Sequence, residues 1–349
     1  MTHWIHTRKT WRQQHDWPTM VTRAREQRRV FQASIMHVDD RFLLCRPHGG
    51  LNDILSQVHK TLIHALQYKR QLIIDTHANG FHDDFCQYFE TARSFPSIQL
   101  RLSSEDLNRL NQQSCFPSSL RARVDNYTLK YVESLSNYEV ATSGERPQIG
   151  STDRTEQLVI HDQCGGGRGC QALPYLKFTA QVSDEITTKI LSLPQGYEAI
   201  HVRYSDVPFN YSPFLQVLRE ALKGRSVVVC TDSFEVLKAC KEQLKDSAVY
   251  SLGNPPKTSQ KIHDNPGVTN QTTNTNALVD LLTLALAKKI YFPSGQGVYP
   301  SGFSILAADL SNRNDLKRQL LGRKNWRSIQ TRLHGGALSS CAAGVSVSP

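Results

Sequence analysis

Three polar side chains follow one short apolar segment: His201, Arg203 and Asp206. The preceding residues, 197–200, are of the types that form buried strands, so we predict a strand over 197–202 that carries these side chains at its C-terminal end. Ligands of open α/β sheets bind outside that end of the strands. A guanidinium is a planar, permanently charged group that matches the geometry of a phosphate. Arg203 therefore predicts an anion-binding site.

Two further strand ends in the same half of the chain carry suitable groups. Asp232 follows the apolar segment 226–230, and its carboxylate can accept hydrogen bonds from a ribose or from the N–H edge of a purine. Small and hydroxyl residues surround the last strand-to-helix turn, where a helix N-terminus suits a diphosphate: Ser301, Gly302, Phe303 and Ser304. Each group alone also fits a helix cap or a turn, but together they favour a nucleoside-diphosphate site.

The first half of the chain contains a strand–turn–helix–strand unit. Apolar residues 42–45 precede Gly49 and Gly50, a helical pattern starts near Asn52, and a second strand is predicted over 72–75. The turn has neither the GxGxxG nor the P-loop pattern. Paired glycines allow a backbone to approach a ligand closely, although a plain tight turn capped by Asn52 explains the same residues.

The elements that must position these residues alternate between strand and helix. In the second half, strands predicted over 197–202, 226–230, 249–252 and 289–292 alternate with helices over 212–222, 234–244, 277–286 and 303–310. This alternation is typical of parallel sheets covered by helices. We also predict helices over 104–111 and 125–135 and a largely helical connector over 174–191. The fold class is therefore α/β, with two Rossmann-like domains facing across a cleft.

Length and charge define the predicted boundaries. The 349 residues suffice for two domains. We predict a basic N-terminal extension over 1–34, domains over 35–175 and 176–312, a basic C-terminal helix over 313–334 and a disordered tail over 335–349. The net charge of +10 divides into +5 for residues 1–30, +6 for residues 312–349 and −1 between them. A nucleic-acid-binding domain carries its basic patch on the fold, so this distribution argues against nucleic acid.

The basic ends fit a transient contact with an anionic membrane surface or a charged partner, although solvated charge on terminal helices also explains them. No apolar run reaches 18 residues, and the first residues lack the apolar segment of a signal peptide. The eight cysteines have no paired spacing, which is typical of reduced thiols. We therefore expect a cytoplasmic protein, with possible contact at the inner face of the membrane.

The order of these segments resembles the fucosyltransferase superfamily that includes the nodulation fucosyltransferase, the α1,6- and α1,2-fucosyltransferases and the protein O-fucosyltransferases. The resemblance covers roughly residues 40–310 and rests on four motifs. The middle of this range matches the family poorly. The four motifs are Gly49-Gly50-Leu51-Asn52-Asp53, His201-Val202-Arg203-Tyr204-Ser205-Asp206, Thr231-Asp232-Ser233, and Asp280-Leu281-Leu282-Thr283-Leu284 followed by Ser301-Gly302-Phe303-Ser304.

The resemblance implies a GT-B-like arrangement and an inverting, metal-independent glycosyltransferase. Its donor would be GDP-fucose, held mainly by the second domain, with Arg203 on the β-phosphate. The donor-binding residues that it implies, together with those that the strand ends suggest, are Gly49, Gly50, Asn52, His201, Asp232, Ser301, Gly302, Phe303 and Ser304. Tyr204 and Ser233 depart from the family pattern, replacing an arginine and an aspartate, and they weaken the assignment of fucose.

The predicted function is therefore transfer of fucose to a saccharide or lipid-linked saccharide acceptor during surface glycan synthesis. Arg203 and Asp206 are the predicted catalytic residues, and Asp206, Asp53 and His48 remain open as the base. The alternatives are a transferase for another nucleotide sugar and a non-catalytic nucleotide-sugar or glycan binder. No cofactor and no metal are predicted, since the His and Asp residues at 77–84 and the Cys164/Cys170 pair lack metal-site spacing. Arg168, in a Gly-rich turn, is either a hinge residue or a group that closes on a ligand.

Overall fold

The computed structural model describes residues 40–77, 81–93, 97–205, 208–253, 255, 270–294 and 299–334. The extension predicted over 1–34 and the tail predicted over 335–349 lie outside these residues. In the first half the elements are β1 (Phe42–His48), α1 (Leu51–Tyr68), β2 (Gln71–Ile74), β3 (Phe89–Thr91), β4 (Ile98–Gln99), α2 (Ser104–Asn111), β5 (Cys115–Phe116), β6 (Leu129–Val132), β7 (Asn137–Val140) and β8 (Leu158–Cys164).

The sheet of the first half is parallel, with the strand order β4-β2-β1-β8-β5. Alternate residues of β1 face opposite sides, because side chains along a strand point to alternating faces. Leu43 packs in the cluster beneath α1, whereas Phe42 and Leu44 pack in a second cluster beneath α2 and the segment that follows it. Helices and loops thus cover both faces, as the apolar composition of β1 requires.

The second half repeats this architecture. Its elements are β9 (Leu176–Phe178), α3 (Ala180–Leu191), β10 (Glu198–Val202), α4 (Ser212–Leu222), β11 (Ser226–Thr231), α5 (Phe234–Gln243), β12 (Ala248–Tyr250), α6 (Gln271–Leu286), β13 (Ile290–Tyr291), α7 (Gly302–Ser311) and α8 (Asn314–His334). The sheet is parallel, in the order β12-β11-β10-β13. The prediction of an α/β fold with two parallel-sheet units is confirmed, while the domain boundaries remain predictions.

Several elements join the halves. β9 pairs antiparallel with β3, so that Phe178 lies opposite Phe89. On α8, the side-chain amide of Gln319 donates to the carbonyls of Leu173 and Leu176, each at 2.8 Å. One buried apolar cluster contains side chains of α1, β8, α3, α6, α7 and α8. The cluster therefore continues from one half into the other.

One sequence prediction, the helix over 125–135, is wrong. The connector over 174–191 is largely helical, as predicted, and one helix starts earlier than predicted. Residues 125–135 form no α-helix: β6 and β7 make an antiparallel hairpin there, with a single 3-10 turn at Glu133–Leu135. Leu129 and Tyr131 alternate with lysine and valine, and this period of two, rich in aromatic and branched residues, favours a strand. The connector over 174–191 contains a 3-10 turn and β9 before α3 begins at Ala180. α6 begins at Gln271, six residues earlier than predicted.

Candidate active site

A cavity of about 200 Å³ lies between the two halves. The first half contributes the turn after β1 and the start of α1, and the second half contributes the ends of β10 and β11, one side of α6 and the start of α7. Nine of the donor-binding, catalytic and candidate-base residues predicted from the sequence line it: Gly49, Gly50, Asn52, Asp53, His201, Arg203, Asp232, Gly302 and Phe303. The fold therefore brings together segments that are more than 250 residues apart in the chain.

The turn after β1 comes close to Arg203. Gly50 is so placed that a β-carbon added to it would lie 3.8 Å from a terminal nitrogen of Arg203. Gly49 has φ +94°, a conformation that side-chain-bearing residues rarely adopt, and an added β-carbon would lie 2.9 Å from Oδ2 of Asp53. The two glycines thus let the backbone turn sharply beside the guanidinium, and a ligand phosphate could contact both.

His201 is a neutral, largely buried ring that forms part of the cavity wall. Its Nδ1 lies 2.7 Å from Oγ of Ser304, and its ring is 5.1 Å from that of Phe303. Burial, reinforced by the charge of Arg203, lowers the pKa of His201 to about 3. The imidazole therefore connects the end of β10 to the start of α7 and is uncharged at neutral pH.

The start of α7 is a capped helix N-terminus. Oγ of Ser301 accepts a hydrogen bond from the backbone N–H of Ser304 at 3.1 Å, and the two hydroxyl oxygens lie 3.0 Å apart. Ser301 and Ser304 stand behind Gly302 and Phe303, the residues of this turn that reach the cavity. The turn is thus rigidly connected to His201.

Asp232 holds the loop that carries Arg203. Its Oδ1 accepts the backbone N–H of Tyr204 at 2.8 Å, and its Oδ2 accepts the hydroxyl of Ser205 at 2.7 Å. The carboxylate lines the cavity, but these contacts already use both of its oxygens. In this structure Asp232 fixes the position of the loop after β10, and its contact with a ribose remains a prediction.

Asn52, at the start of α1, also uses its side chain to hold a neighbouring loop in place. Its Nδ2 donates to the carbonyl of Gly167 at 3.2 Å, and its Oδ1 accepts the N–H of Gly169 at 3.0 Å. A β-carbon added to Gly302 would lie 3.0 Å from the same Nδ2. Asn52 therefore binds the Gly-rich segment 165–169 to α1 and lies directly against α7.

Asp280 is a group whose role the sequence left unassigned. It lines the cavity from α6, its Oδ1 is buried without a hydrogen-bond partner among the residues that the structure describes, and burial raises its pKa to about 7. Gly253 lies beside it: a β-carbon there would be 3.3 Å from Oδ2. A buried carboxylate oxygen without a partner is costly, so this oxygen suits a ligand that donates N–H or O–H groups.

Other sequence candidates lie elsewhere. Asp206 is outside the described residues. Nε of Arg168 lies 3.8 Å from Oδ2 of Asp309 on α7, so this arginine links the Gly-rich segment to the second half. Within the described part of the chain, no group of three or more His, Cys, Asp or Glu side chains is arranged to hold a metal ion. Nor does any helix there have the length and apolarity needed to cross a membrane.

Two parallel-sheet units with a cavity between them, at the ends of the strands, define a GT-B-like fold. No family model matches the chain, and no curated protein matches it. Among solved structures, the fucosyltransferase NodZ from Bradyrhizobium is similar with a TM-score of 0.52 and 18% identity, over 77% of this chain and 91% of that one. A structure of NodZ α-1,6-fucosyltransferase soaked with GDP-fucose gives a TM-score of 0.53 and 19% identity, over 78% and 92%.

A third structure, NodZ co-crystallised with GDP, gives a TM-score of 0.50 and 18% identity, over 77% of this chain and 92% of that one. The resemblance to fucosyltransferases predicted from the motifs is thus confirmed at the level of the fold.

Proposed function

We propose that this protein is a glycosyltransferase that takes a sugar, in the first place fucose, from a GDP-activated donor. The observation that carries the proposal is one cavity in which Arg203, the Gly49-Gly50 turn, the start of α7 and the carboxylate of Asp280 all meet. The fold shared with NodZ supports the class of reaction, and the structures of NodZ with GDP and GDP-fucose support the class of donor.

The diphosphate would lie between Arg203 and the backbone of the two turns. A guanidinium gives charge-assisted hydrogen bonds to phosphate, and the N-terminus of α7 contributes backbone N–H groups and a favourable dipole. His201 is neutral, so Arg203 is the cation that the end of β10 presents to the cavity. Asp232 fixes the loop that carries this cation, which limits the entropy lost on binding.

Asp280 favours guanine among the bases. The Watson–Crick edge of guanine has two adjacent donors, N1–H and the 2-amino group, which match the two oxygens of a carboxylate. Adenine and cytosine each present one amino group beside an acceptor, and uracil presents one N–H between two carbonyls. A carboxylate would meet an unfavourable acceptor with each of these three. Asp280 therefore supports a GDP-linked donor over UDP- or CDP-linked ones.

The chemistry follows from the position of Arg203. As the bond between the anomeric carbon and the diphosphate breaks, negative charge builds on the leaving phosphate, and a guanidinium that binds this charge most strongly in the transition state accelerates the step. Attack by the acceptor hydroxyl from the opposite face inverts the anomeric centre. Arg203 and the helix N-terminus offer the charge stabilisation that a metal ion gives in other transferases, which supports a metal-independent reaction.

Calorimetric titration tests the donor. GDP and GDP-fucose should bind and UDP and CDP should not, and Arg203→Ala should weaken GDP binding about 10- to 100-fold, as expected for a charge-assisted hydrogen bond of about 1.5–3 kcal/mol. Arg219→Ala is the matched control, because Arg219 lies on α4 and pairs with Asp246 at 3.6 Å, half-exposed and away from the cavity. Binding of UDP or CDP instead would mean that the donor is another nucleotide sugar and not GDP-fucose.

Turnover separates an enzyme from a binder with the same fold. Release of GDP from GDP-fucose, to water or to a saccharide, should proceed in the wild type and fall sharply in Arg203→Ala at saturating donor. Binding of GDP-fucose without release of GDP under any condition would favour the non-catalytic alternative. The acceptor is proposed to be a saccharide or lipid-linked saccharide of a surface glycan.

The exposed cations of α8 support a peripheral membrane contact. This helical segment, which is interrupted by a non-helical residue at Gly322, exposes Arg318, Arg323, Lys324, Arg327 and Arg332. Each cation near an anionic membrane contributes about 1 kcal/mol of attraction. Vesicles with one third phosphatidylglycerol should co-sediment with the protein at low salt, and vesicles of phosphatidylcholine alone should not. If the double variant Arg323→Glu/Lys324→Glu co-sediments with the anionic vesicles as much as the wild type does, this contact is contradicted.

A further inference from the structure

A second polar cluster lies at the ends of β1 and β8, on the face of the first sheet opposite α1. His48 is the last residue of β1, and its Nε2 is hydrogen-bonded to Oδ1 of Asp162 on β8. The hydroxyl of Tyr127 donates to Oδ2 of the same carboxylate. Asp162 is only 1% exposed, so its two oxygens are directed by these partners and not by solvent.

The neighbours of this cluster are themselves fixed. Arg46 donates from Nε to Asp75 at 2.7 Å and from Nη1 to the carbonyl of Val124 at 2.5 Å and to the hydroxyl oxygen of Tyr127 at 3.1 Å. Burial raises the pKa of Tyr127, which keeps its hydroxyl protonated and donating. Each side chain around Asp162 therefore has a defined orientation.

The ring of His48 is held in one tautomer. A carboxylate oxygen only accepts, so Nε2 carries the proton and Nδ1 of the neutral ring is an acceptor. The ring stacks on Tyr138, with centroids 4.2 Å apart, which fixes its plane. Among the described residues, Nδ1 has no hydrogen-bond partner, and it is not enclosed. The His48–Asp162 pair thus leaves Nδ1 of His48 in a fixed orientation and able to accept a proton.

His48 is close in the chain to residues that line the cavity. His48 directly precedes Gly49 and Gly50, and Gly50 lies beside the guanidinium of Arg203. Two residues of chain span at most about 7 Å. The backbone of His48 therefore lies within two residues of the turn that borders the proposed leaving-group site, on the side formed by the first half of the chain.

We propose that His48, positioned by Asp162, is the base that takes the proton of the attacking hydroxyl. This inference rests on the proposed function. In the step, the hydroxyl oxygen forms a bond to the anomeric carbon, its proton moves to Nδ1 of His48, and the bond from that carbon to the diphosphate oxygen breaks. The electron pair of the broken bond leaves with GDP. Asp162 then stabilises the imidazolium that has formed.

Asp53 is the competing base within the described residues. It also lines the cavity, from the first turn of α1. An imidazole titrates closer to neutral pH and so combines an unprotonated state with useful basicity. Asp53→Asn and Asp206→Asn are therefore the rival variants in the test.

The first measurement needs no substrate. Nitrogen-15 chemical shifts of the histidine rings in the full chain, with His48 assigned by its loss in His48→Gln, should show the proton on Nε2 and an unprotonated Nδ1. Asp162→Asn should abolish this preference. A proton on Nδ1 of His48 in the wild type would overturn the proposal, whatever the donor is.

The second measurement uses GDP-fucose as the probe and follows GDP release. His48→Gln, which can still donate to Asp162, should lower kcat about 10²- to 10⁴-fold while GDP binding by calorimetry stays unchanged. Imidazole should partly restore His48→Ala. His59→Gln is the matched control, since His59 lies farther along α1 against Tyr175.

The outcomes separate the two proposals. If the wild type neither binds GDP nor releases it from GDP-fucose, the proposed function fails, and the ring tautomer still decides whether the His48–Asp162 pair exists. If GDP binds and is released but His48→Gln turns over within three-fold of wild type, His48 is not the base. A large loss confined to Asp53→Asn or Asp206→Asn would assign the proton transfer to that residue instead.

Discussion

Single residues of the cavity differ in whether their polar atoms are used within the protein. Asp232, Asn52 and Ser304 all bond to neighbouring segments, whereas Oδ1 of Asp280 has no hydrogen-bond partner in the described part of the chain. A sequence indicates which polar residues follow strands. It does not show which of these side chains make their hydrogen bonds within the protein and which keep them for a ligand. The signal for Asp280 was a single charged residue in the mostly apolar stretch 277–286 of a buried helix. That pattern implies either a buried partner or a ligand.

The carboxyl of Asp280 should make GDP binding depend on pH. Its pKa of about 7 lies above the ordinary value of 3.8, because burial disfavours the charge. Guanine needs the ionised form, so the GDP dissociation constant should rise about ten-fold per pH unit below 7, and binding near pH 6 should release a proton. Calorimetry over this pH range, in two buffers of different ionisation enthalpy, measures the dissociation constant and the number of protons released on binding. A dissociation constant independent of pH between 5.5 and 8 would contradict this role.

The same shift has a consequence for stability. Because the folded protein holds this proton more tightly than the unfolded chain, the unfavourable contribution of Asp280 grows as pH rises from about 4 to about 7. Asp280→Asn should therefore raise the free energy of unfolding at pH 8 by about 1–3 kcal/mol while weakening GDP binding. The gain should disappear towards pH 4. Denaturant titrations at the two pH values check the sign.

At the scale of elements, strand ends were the most predictable feature. Helices over 104–111 and 212–222 have the predicted bounds, and β10 and β11 end within a residue of prediction, because their apolar patterns and flanking turns agree. The hairpin over 129–140 was missed because its strands are short and mostly solvent-facing. Contacts such as those of Asn52 with Gly167 and Gly169 join segments 115 and 117 residues apart, and no local pattern contains them.

The close approach of α7 to α1 should not tolerate an added methyl group. In Gly302→Ala the new β-carbon would meet Asn52 at 3.0–3.1 Å, so Asn52 must move and its bonds to the Gly-rich segment must lengthen. Such overpacking costs about 1–3 kcal/mol, and GDP binding should weaken as the start of α7 shifts. Gly150→Ala is the matched control, since its β-carbon would lie 3.4 Å from the nearest atom. Equal stability of both variants would contradict the tight contact.

For the whole molecule, the two parallel-sheet units share one core. The cluster beneath α1 extends into α3, α6 and α8, and polar contacts cross with it: Nδ2 of Asn274 on α6 donates to the carbonyl of Phe81 at 2.8 Å and to the hydroxyl of Tyr88 at 2.9 Å. Chains of this length with two domains commonly unfold in separate steps. A continuous core removes the physical reason for separate steps, since neither sheet unit keeps its buried surface without the other.

Heating should therefore unfold the protein in one transition whose calorimetric and van't Hoff enthalpies agree. GDP at 100 times its dissociation constant should shift the whole transition, because binding adds about 2.7 kcal/mol to the folded state. Asn274→Ala should lower the same single transition by about 1–3 kcal/mol, since it leaves the buried carbonyl of Phe81 without its donor. Asn312→Ala, which loses only a 3.4 Å contact with Ala308 within α7, serves as its control. Two transitions, of which GDP raises only one, would mean that the shared cluster does not couple the halves and that the cavity between them can open without unfolding either sheet.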